Sequence, residues 1–412
     1  MGTFDVVDKI SSLPVLNYKG LEDFVDKMSF IASCILLIAC SLIVTMREYV
    51  MDPITCYMSH TPGGENILKY LEHYCWVRGT MSLDESKIPQ KSQDWHEFER
   101  SRIVYYQWVP FMLLFQAALF HLPKILWTVI CLNVTGLNVK NLVKISETTE
   151  PEKIASMIEH WLVQHREYRK GFVHNMKVRL YRIMKCLVIS KRFATWLSCG
   201  YLMMKCLYLV NSIGQIYLMQ HFLQLNNHEE YSSNFGLEIA KNIIKGQNWE
   251  VTNIFPRVAY CTARFRHVGG VNLLTAQCVL TANLFIEKIY IFLWFWIVLV
   301  AIFTSFSLLT WMFRLFVPSR HYNEVKKHLF LHSHNVSKSC EVEKFCSEFL
   351  RLDGIFLLYM INLNSGDLAT GNIVSKLFEK YQDKYQDQDF MDGDKFLLCK
   401  TGKNSELSTF VS

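Results

Sequence analysis

Residues 289–313 read IYIFLWFWIVLVAIFTSFSLLTWMF, twenty-five consecutive positions without Asp, Glu, Lys or Arg. A helix at the surface of a soluble domain is apolar on one stripe only. This stretch is apolar on every side, and about 20 such residues cross the ~30 Å hydrocarbon core of a bilayer. The reading of the rest of the chain follows from accepting it as a membrane span.

Three further runs qualify. Residues 30–46, FIASCILLIACSLIVTM, carry no charge. Residues 105–132 contain Pro110, Pro123 and Lys124; proline is tolerated in a spanning helix because neighbouring helices re-satisfy the freed backbone groups. Residues 197–222 are the most polar of the four, with Lys205, Asn211, Ser212, Gly214 and Gln215. Lys205 is expected either to face neighbours or a hydrated cavity, or to snorkel to the interface. Tyr105, Tyr106, Trp108 and Trp127 flank the second run, and Tyr290, Trp294, Trp296 and Trp311 flank the last, the places where an aromatic belt is expected. Across 412 residues only 19% are charged and 51% are hydrophobic, whereas soluble proteins carry about 25% charge.

The chain is therefore expected to divide into an N-terminal segment (1–29), a first span (30–46), a loop (47–104), a second span (105–132), a loop (133–196), a third span (197–222), a loop (223–288), a fourth span (289–313) and a C-terminal region (314–412). Residues 1–29 are acidic (Asp5, Asp8, Glu22, Asp23, Asp26) and lack the basic lead of a cleavable signal, so the first span is read as uncleaved. Val6 stands where a myristoylation motif needs Ser or Thr.

Charge gives the sidedness. Residues 131–196 hold 12 Lys/Arg against 5 Asp/Glu, residues 47–104 hold 7 against 9, and residues 223–288 hold 6 against 5. Lys and Arg concentrate in cytosolic loops, so 131–196 and both termini are expected inside and the two flanking loops outside. The inner loop is helix-like: Ile154, Met157, Ile158, Trp161, Leu162 and His165 recur at three- and four-residue steps after Pro151. A second amphipathic stretch covers Val178 to Lys191, and a helical pattern recurs near Cys346 to Tyr359.

Of thirteen Cys, the two outer loops hold two each: Cys56 and Cys75, then Cys261 and Cys278. Disulfides persist outside the cell and are rare within it. Four Cys allow three pairings. Cys56 lies soon after the first span and Cys278 soon before the fourth, while Cys75 and Cys261 lie further out. Matching depths favour Cys56–Cys278 with Cys75–Cys261, which would tie the two loops into one cap.

The residues around these cysteines carry a resemblance. The first loop has Asp52-Pro53-Ile54-Thr55-Cys56 and Tyr74-Cys75-Trp76-Val77-Arg78-Gly79-Thr80. The second span opens with Tyr105-Tyr106-Gln107-Trp108-Val109-Pro110. Phe255-Pro256-Arg257-Val258 precedes Cys261, and Cys278-Val279-Leu280 leads to Asn283 and Glu287-Lys288-Ile289-Tyr290. In order and spacing, over roughly residues 20–360, this resembles the innexins, subunits of invertebrate gap-junction channels. Where many innexins have Leu-Pro-Leu-Asn this chain has Leu280-Thr281-Ala282-Asn283, and the acidic residue often found just before the last loop Cys is absent from Leu273-Leu274-Thr275-Ala276-Gln277. Partner preference is accordingly not carried by the resemblance.

The expected fold is all-α: a four-transmembrane-helix bundle with disulfide-bonded extracellular loops and a helical cytoplasmic region. The resemblance implies a ring oligomer, with eight subunits as the family number, built from copies of this chain or from innexin-like partners. It implies docking to a second ring on the adjacent cell at a plasma-membrane gap junction. It also implies that Gly2, Thr3, Phe4, Asp5, Val6, Val7 and Asp8 fold into the pore mouth, where rings of Asp5 and Asp8 would favour cations. The only Asn-x-Ser/Thr sites, at Asn133 and Asn335, fall on the expected cytosolic side, leaving the outer loops free of the bulky glycans that would obstruct docking.

Two readings compete: an undocked hemichannel that releases small molecules, and a non-conducting four-span adhesion or scaffold protein. The Cys signatures of tetraspanins and claudins are absent. No phosphate loop, nucleophile–base pair or nucleic-acid motif stands out, so neither an enzyme nor a cofactor is expected. Cys340 and Cys346, near His332 and His334, lack the close spacing of a zinc site.

Overall fold

The computed structural model describes residues 22–58, 64–82, 102–134, 139–146, 149–164, 195–224, 241, 244–246, 255–267, 269–332 and 339–385. The candidate pore residues Gly2, Thr3, Phe4, Asp5 and Asp8, the stretch Val178 to Lys191 and His165 lie outside them.

In chain order the elements are α1 (Phe24–Tyr49), β1 (Thr55–Tyr57), α2 (Glu65–Arg78), β2 (Thr80–Ser82), β3 (Arg102–Ile103), a 3₁₀ turn (Tyr105–Trp108) leading into α3 (Val109–Val134), α4 (Val139–Ile145), α5 (Pro151–Gln164), α6 (Trp196–Gln224), β4 (Val258–His267), β5 (Gly270–Val279), α7 (Thr281–Phe316), α8 (Pro318–His332), α9 (Ser339–Lys344) and, after a π turn over Phe345–Leu350, α10 (Arg351–Tyr385). Helices α1, α3, α6 and α7 are long and apolar enough to cross a membrane. Each buries only one face. In α1, Leu37, Cys40, Ser41, Val44 and Glu48 recur at helical steps on the buried side, while Ile35, Ile38, Leu42, Ile43 and Met46 are exposed. In α7, Phe295, Leu299, Ile302, Phe303, Phe306 and Leu309 are exposed. Apolar surface on this scale has no place in water; it suits lipid or neighbouring subunits.

The chain forms two compact units whose boundaries fall near Phe24, Lys124, Cys206 and Phe306, at or within these four helices. One unit comprises residues 25–123 and 207–305. Beyond its helices it contains an antiparallel five-stranded sheet in the order β1-β5-β4-β2-β3. Here the structure adds to the expected helical fold. The β4–β5 hairpin comes from the second loop, while β1 on one side and β2 and β3 on the other come from the first. The hairpin turn uses Gly269 at φ 107°, a backbone region that favours glycine. Gly79, which links α2 to β2, has φ 87°, and a side chain there would lie 2.6 Å from Val104 Cγ1 and 2.8 Å from the Ile103 carbonyl oxygen.

The other unit comprises residues 1–24, 124–206 and 306–412 and, among described residues, is helical. Helix α5 buries Ile154, Ala155, Ile158, Trp161 and Leu162, the face expected from its periodicity, although Met157 is exposed. Helix α10 packs against α5 and α8. Phe345, Phe349, Phe378 and Tyr381 form an aromatic cluster with ring centroids 5.2–5.5 Å apart for the Phe345 pairs. The expected aromatic belt is in large part core instead. Trp127 and Trp311 are fully buried, and Tyr201 packs against both and against Phe356. Of the ring residues named for the belt, Trp108 is exposed. Tyr and Trp fill cores as readily as interfaces, so their position in a sequence does not decide between the two.

Candidate functional site

Two assemblies of unusual chemistry stand out, one in each unit.

The first joins the two loops. Cys56 and Cys278 are directly opposite on β1 and β5 and are disulfide-bonded, with Cα atoms 4.0 Å apart. Cys75 on α2 is bonded to Cys261 on β4, with Cα atoms 5.8 Å apart. All four cysteines are buried. The Sγ atoms of Cys56, Cys75 and Cys278 lie within 4.8 Å of one another, so the two disulfides abut. Sulfurs already bonded to each other are not the thiolates that bind metals.

The sequence motifs converge on this point. Gln107 donates from Nε2 to the Trp76 carbonyl at 2.5 Å, and the Tyr106 ring stacks on Trp76 with centroids 4.5 Å apart. Tyr105 meets Phe255 edge-on, and Phe255 packs on Tyr290. Val109 is fully buried, and the Pro110 carbonyl accepts a hydrogen bond from Ser41 Oγ at 3.1 Å. The start of α7 closes the ring of contacts. Asn283 Nδ2 donates to the Pro256 carbonyl at 2.9 Å, and Thr281 Oγ1 donates to the Pro53 carbonyl at 3.1 Å. Arg257 pairs with Glu287, which is 3% exposed along its side chain, at 3.1 Å. Finally, the Cys56 amide donates to Glu72 Oε1 at 3.0 Å. The motif residues are thus mostly stitching. They bind the first loop, the second loop and the adjoining helix ends into one body, and Trp108 is the member that remains exposed.

The second assembly is a charge cluster that sequence reasoning did not anticipate. Lys205 on α6 has a side chain 0% exposed and does not snorkel. Its Nζ lies 2.7 Å from Asp23 Oδ2 and 2.8 Å from Ser307 Oγ, and 5.0 Å from the centroid of the Tyr201 ring. The same Asp23 oxygen accepts from Ser307 Oγ at 2.8 Å and from Trp311 Nε1 at 2.9 Å. The preceding residue, Glu22, pairs with Lys124 of α3, and both are buried. Further along α6, within the other unit, buried Gln215 donates from Nε2 to Asn211 Oδ1. The sequence signal for the cluster was a lysine in an apolar run; its partner sits 182 residues away, which no periodicity encodes.

Close by, Asp353 of α10 caps the N-terminus of α6. It accepts from the amides of Leu197 (3.2 Å) and Ser198 (2.9 Å) and from Ser198 Oγ (2.8 Å). A carboxylate at the unpaired amides of a helix start is a favourable arrangement. Burial pushes the Asp353 carboxyl up, and the hydrogen bonds from Ser198, Leu197 and Trp196 pull it back.

Comparison with known proteins agrees with the motifs. The family model described as Innexin matches residues 22–381. The chain is 33% identical over 385 residues to Innexin unc-9 of Caenorhabditis elegans, a match covering 90% of this chain and 95% of that one. It is 30% identical over 384 residues to Innexin-11 of the same organism, covering 89% of this chain and 80% of that one. It is 26% identical over 411 residues to Innexin-19 of Caenorhabditis briggsae, covering 91% and 89%. With four apolar helices, two disulfides across the loops and a family match over most of its length, the chain belongs to the innexin family, the plasma-membrane subunits of gap-junction channels.

Proposed function

We propose that the chain is one subunit of a ring-shaped large-pore channel that docks with a second ring on the adjacent cell and passes ions and small metabolites. In this reading both termini are cytosolic, the spans are near 30–46, 105–132, 197–222 and 289–313, and the disulfide-bonded sheet faces outward. The ring holds eight subunits, as copies of this chain or mixed with innexin-like partners, and residues 2–8 line the pore mouth.

The observation that carries the reading is the loop architecture. A hairpin from one loop is flanked on both sides by strands of the other, and two disulfides close the body. Docking two rings end to end needs an outer surface whose parts hold a fixed mutual position, because flexible loops would pay an ordering cost on every contact. The exposed apolar faces of the four helices fit lipid and neighbouring subunits.

Dye transfer and junctional current between paired expressing cells test the docked channel. Transfer is the expected result. Current from unpaired membranes without transfer would assign an undocked hemichannel, and absence of both would assign a scaffold. Within the pore, neutralising Asp5→Asn with Asp8→Asn should shift reversal potentials in asymmetric salt away from cation preference. Unchanged potentials would remove those two residues from the conduction path.

A further inference from the structure

We propose that the two abutting disulfides form a thiol-exchange site. A small external thiol that opens Cys56–Cys278 at Cys56 releases Cys278 to attack Cys75, and so opens Cys75–Cys261, a bond the thiol itself does not reach.

The sulfurs differ in access. Cys56 sits on β1, an edge strand of the sheet, is 7% exposed, and has exposed Thr55 and Tyr57 on either side. Cys75 and Cys278 are 0% exposed and Cys261 is 2% exposed. A dissolved thiol therefore has one point of entry. Past that point the sulfurs are neighbours: the Sγ atoms of Cys56, Cys75 and Cys278 lie within 4.8 Å of one another. The sheet face that carries them is filled by small residues, with buried Ala259 opposite Cys278 and buried Ala276 opposite Cys261. Once its bond is cut, Cys278 is free to rotate about Cα–Cβ and bring its sulfur to Cys75.

Charge gives the first step a direction. Glu72 Oε1 accepts from the Cys56 amide at 3.0 Å. A carboxylate there disfavours a second negative charge on Cys56, so Cys278 is the leaving thiolate, and it favours a cationic thiol as the attacking group. In the first step the thiolate bonds to Cys56 Sγ, the Cys56–Cys278 bond breaks, and its electron pair leaves on Cys278. A thiolate withdrawn from water is unfavourable and has two ways out, back onto Cys56 or onward to Cys75. In the second step Cys278 bonds to Cys75, the Cys75–Cys261 bond breaks, and Cys261 leaves with the electron pair and takes a proton from water. One external thiol is oxidised to a mixed disulfide and one cysteine, Cys261, is reduced to a thiol.

The test treats the purified full-length protein in detergent with cysteamine, a cationic monothiol, quenches with N-ethylmaleimide, and maps linkages after digestion without reduction. Expected are cysteamine on Cys56, a Cys75–Cys278 peptide, and maleimide on Cys261. Cysteamine on Cys56 with maleimide on Cys278 and Cys75–Cys261 intact would overturn the proposal, as would native linkages with no adduct. A second measurement follows the rate at which cysteamine opens Cys75–Cys261 in Cys56→Ser with Cys278→Ser. The rate should fall by about tenfold or more, because the attack that remains lacks a sulfur already held beside its target. An equal or faster rate, as simple loosening of the unit would give, overturns the proposal. If that variant does not fold, the linkage map of the natural sequence decides alone.

Discussion

In one unit, residues 55–57 pair with residues 277–279 through backbone ladders and a covalent bond across 222 residues of chain. In the other, Asp23 reaches Lys205 across 182 residues through a single oxygen atom. Both units join segments that are remote in sequence, and they do it with different physics. The disulfide-bonded unit is held by bonds that water cannot exchange, which suits a part expected to meet an outside partner. The helical unit is held by hydrogen bonds, two buried ion pairs and aromatic packing among its described residues. The difference teaches that remote segments are locked covalently in the first unit and by the fit of side chains in the second.

The largest expected effect breaks the first unit. Replacing Cys75→Ser with Cys261→Ser removes a cross-link that spans 186 residues. With Cys56–Cys278 intact the loop it closes runs through that bond, 19 residues on one arm and 17 on the other, and in the chain-entropy description a loop of that size corresponds to about 4 kcal/mol. Thermal unfolding in detergent should show loss of the sheet-bearing unit, and dye transfer should vanish. External reductant should act likewise while leaving the α5–α10 packing protected in hydrogen exchange.

A smaller effect is expected in the second unit at Asp353→Asn. The amide retains one acceptor oxygen where the carboxylate bonds to Leu197 and Ser198 with two. Loss of one hydrogen bond to a charged acceptor is worth about 1–2 kcal/mol. Exchange of the Leu197 and Ser198 amides should quicken while the disulfide-bonded unit keeps its protection. Equal loosening of both units would remove the contrast between them.

The smallest effect is expected at Lys327→Ala. Lys327 pairs with Asp367 at 3.3 Å, both about half-exposed, in a setting where solvent screens the attraction. Unfolding temperature should not move.

The long spans were legible because a bilayer imposes a length and a composition that few other environments require. The disulfide partners were approachable for a related reason. Each outer cysteine has a readable depth from its nearest span, and depth leads to the pairing the structure contains. The sheet was not legible. Its inward positions are Ala259, Cys261, Ala263, Ala276 and Cys278, small residues with little strand signal, while Leu273 and Val279 face out. Strands β1, β2 and β3 are two or three residues long and exist because the hairpin offers them edges. Lys205 is visible in the sequence as a charge in an apolar run, but its pairing with Asp23 depends on helix packing, which a linear pattern does not specify. Gln107 and Tyr106 were visible as a motif; that they fasten the second span to α2 was visible only in three dimensions.

Two loops bonded to each other, on the outer side of the membrane in the proposed topology, are the feature on which docking rests. Intact expressing cells, blocked with a membrane-impermeant maleimide and then digested without reduction, should yield peptides linking Cys56 to Cys278 and Cys75 to Cys261. A tag placed in residues 147–150 should remain unlabelled until the cells are permeabilised. Peptides linking Cys56 to Cys75, or labelling of that tag on intact cells, would contradict it.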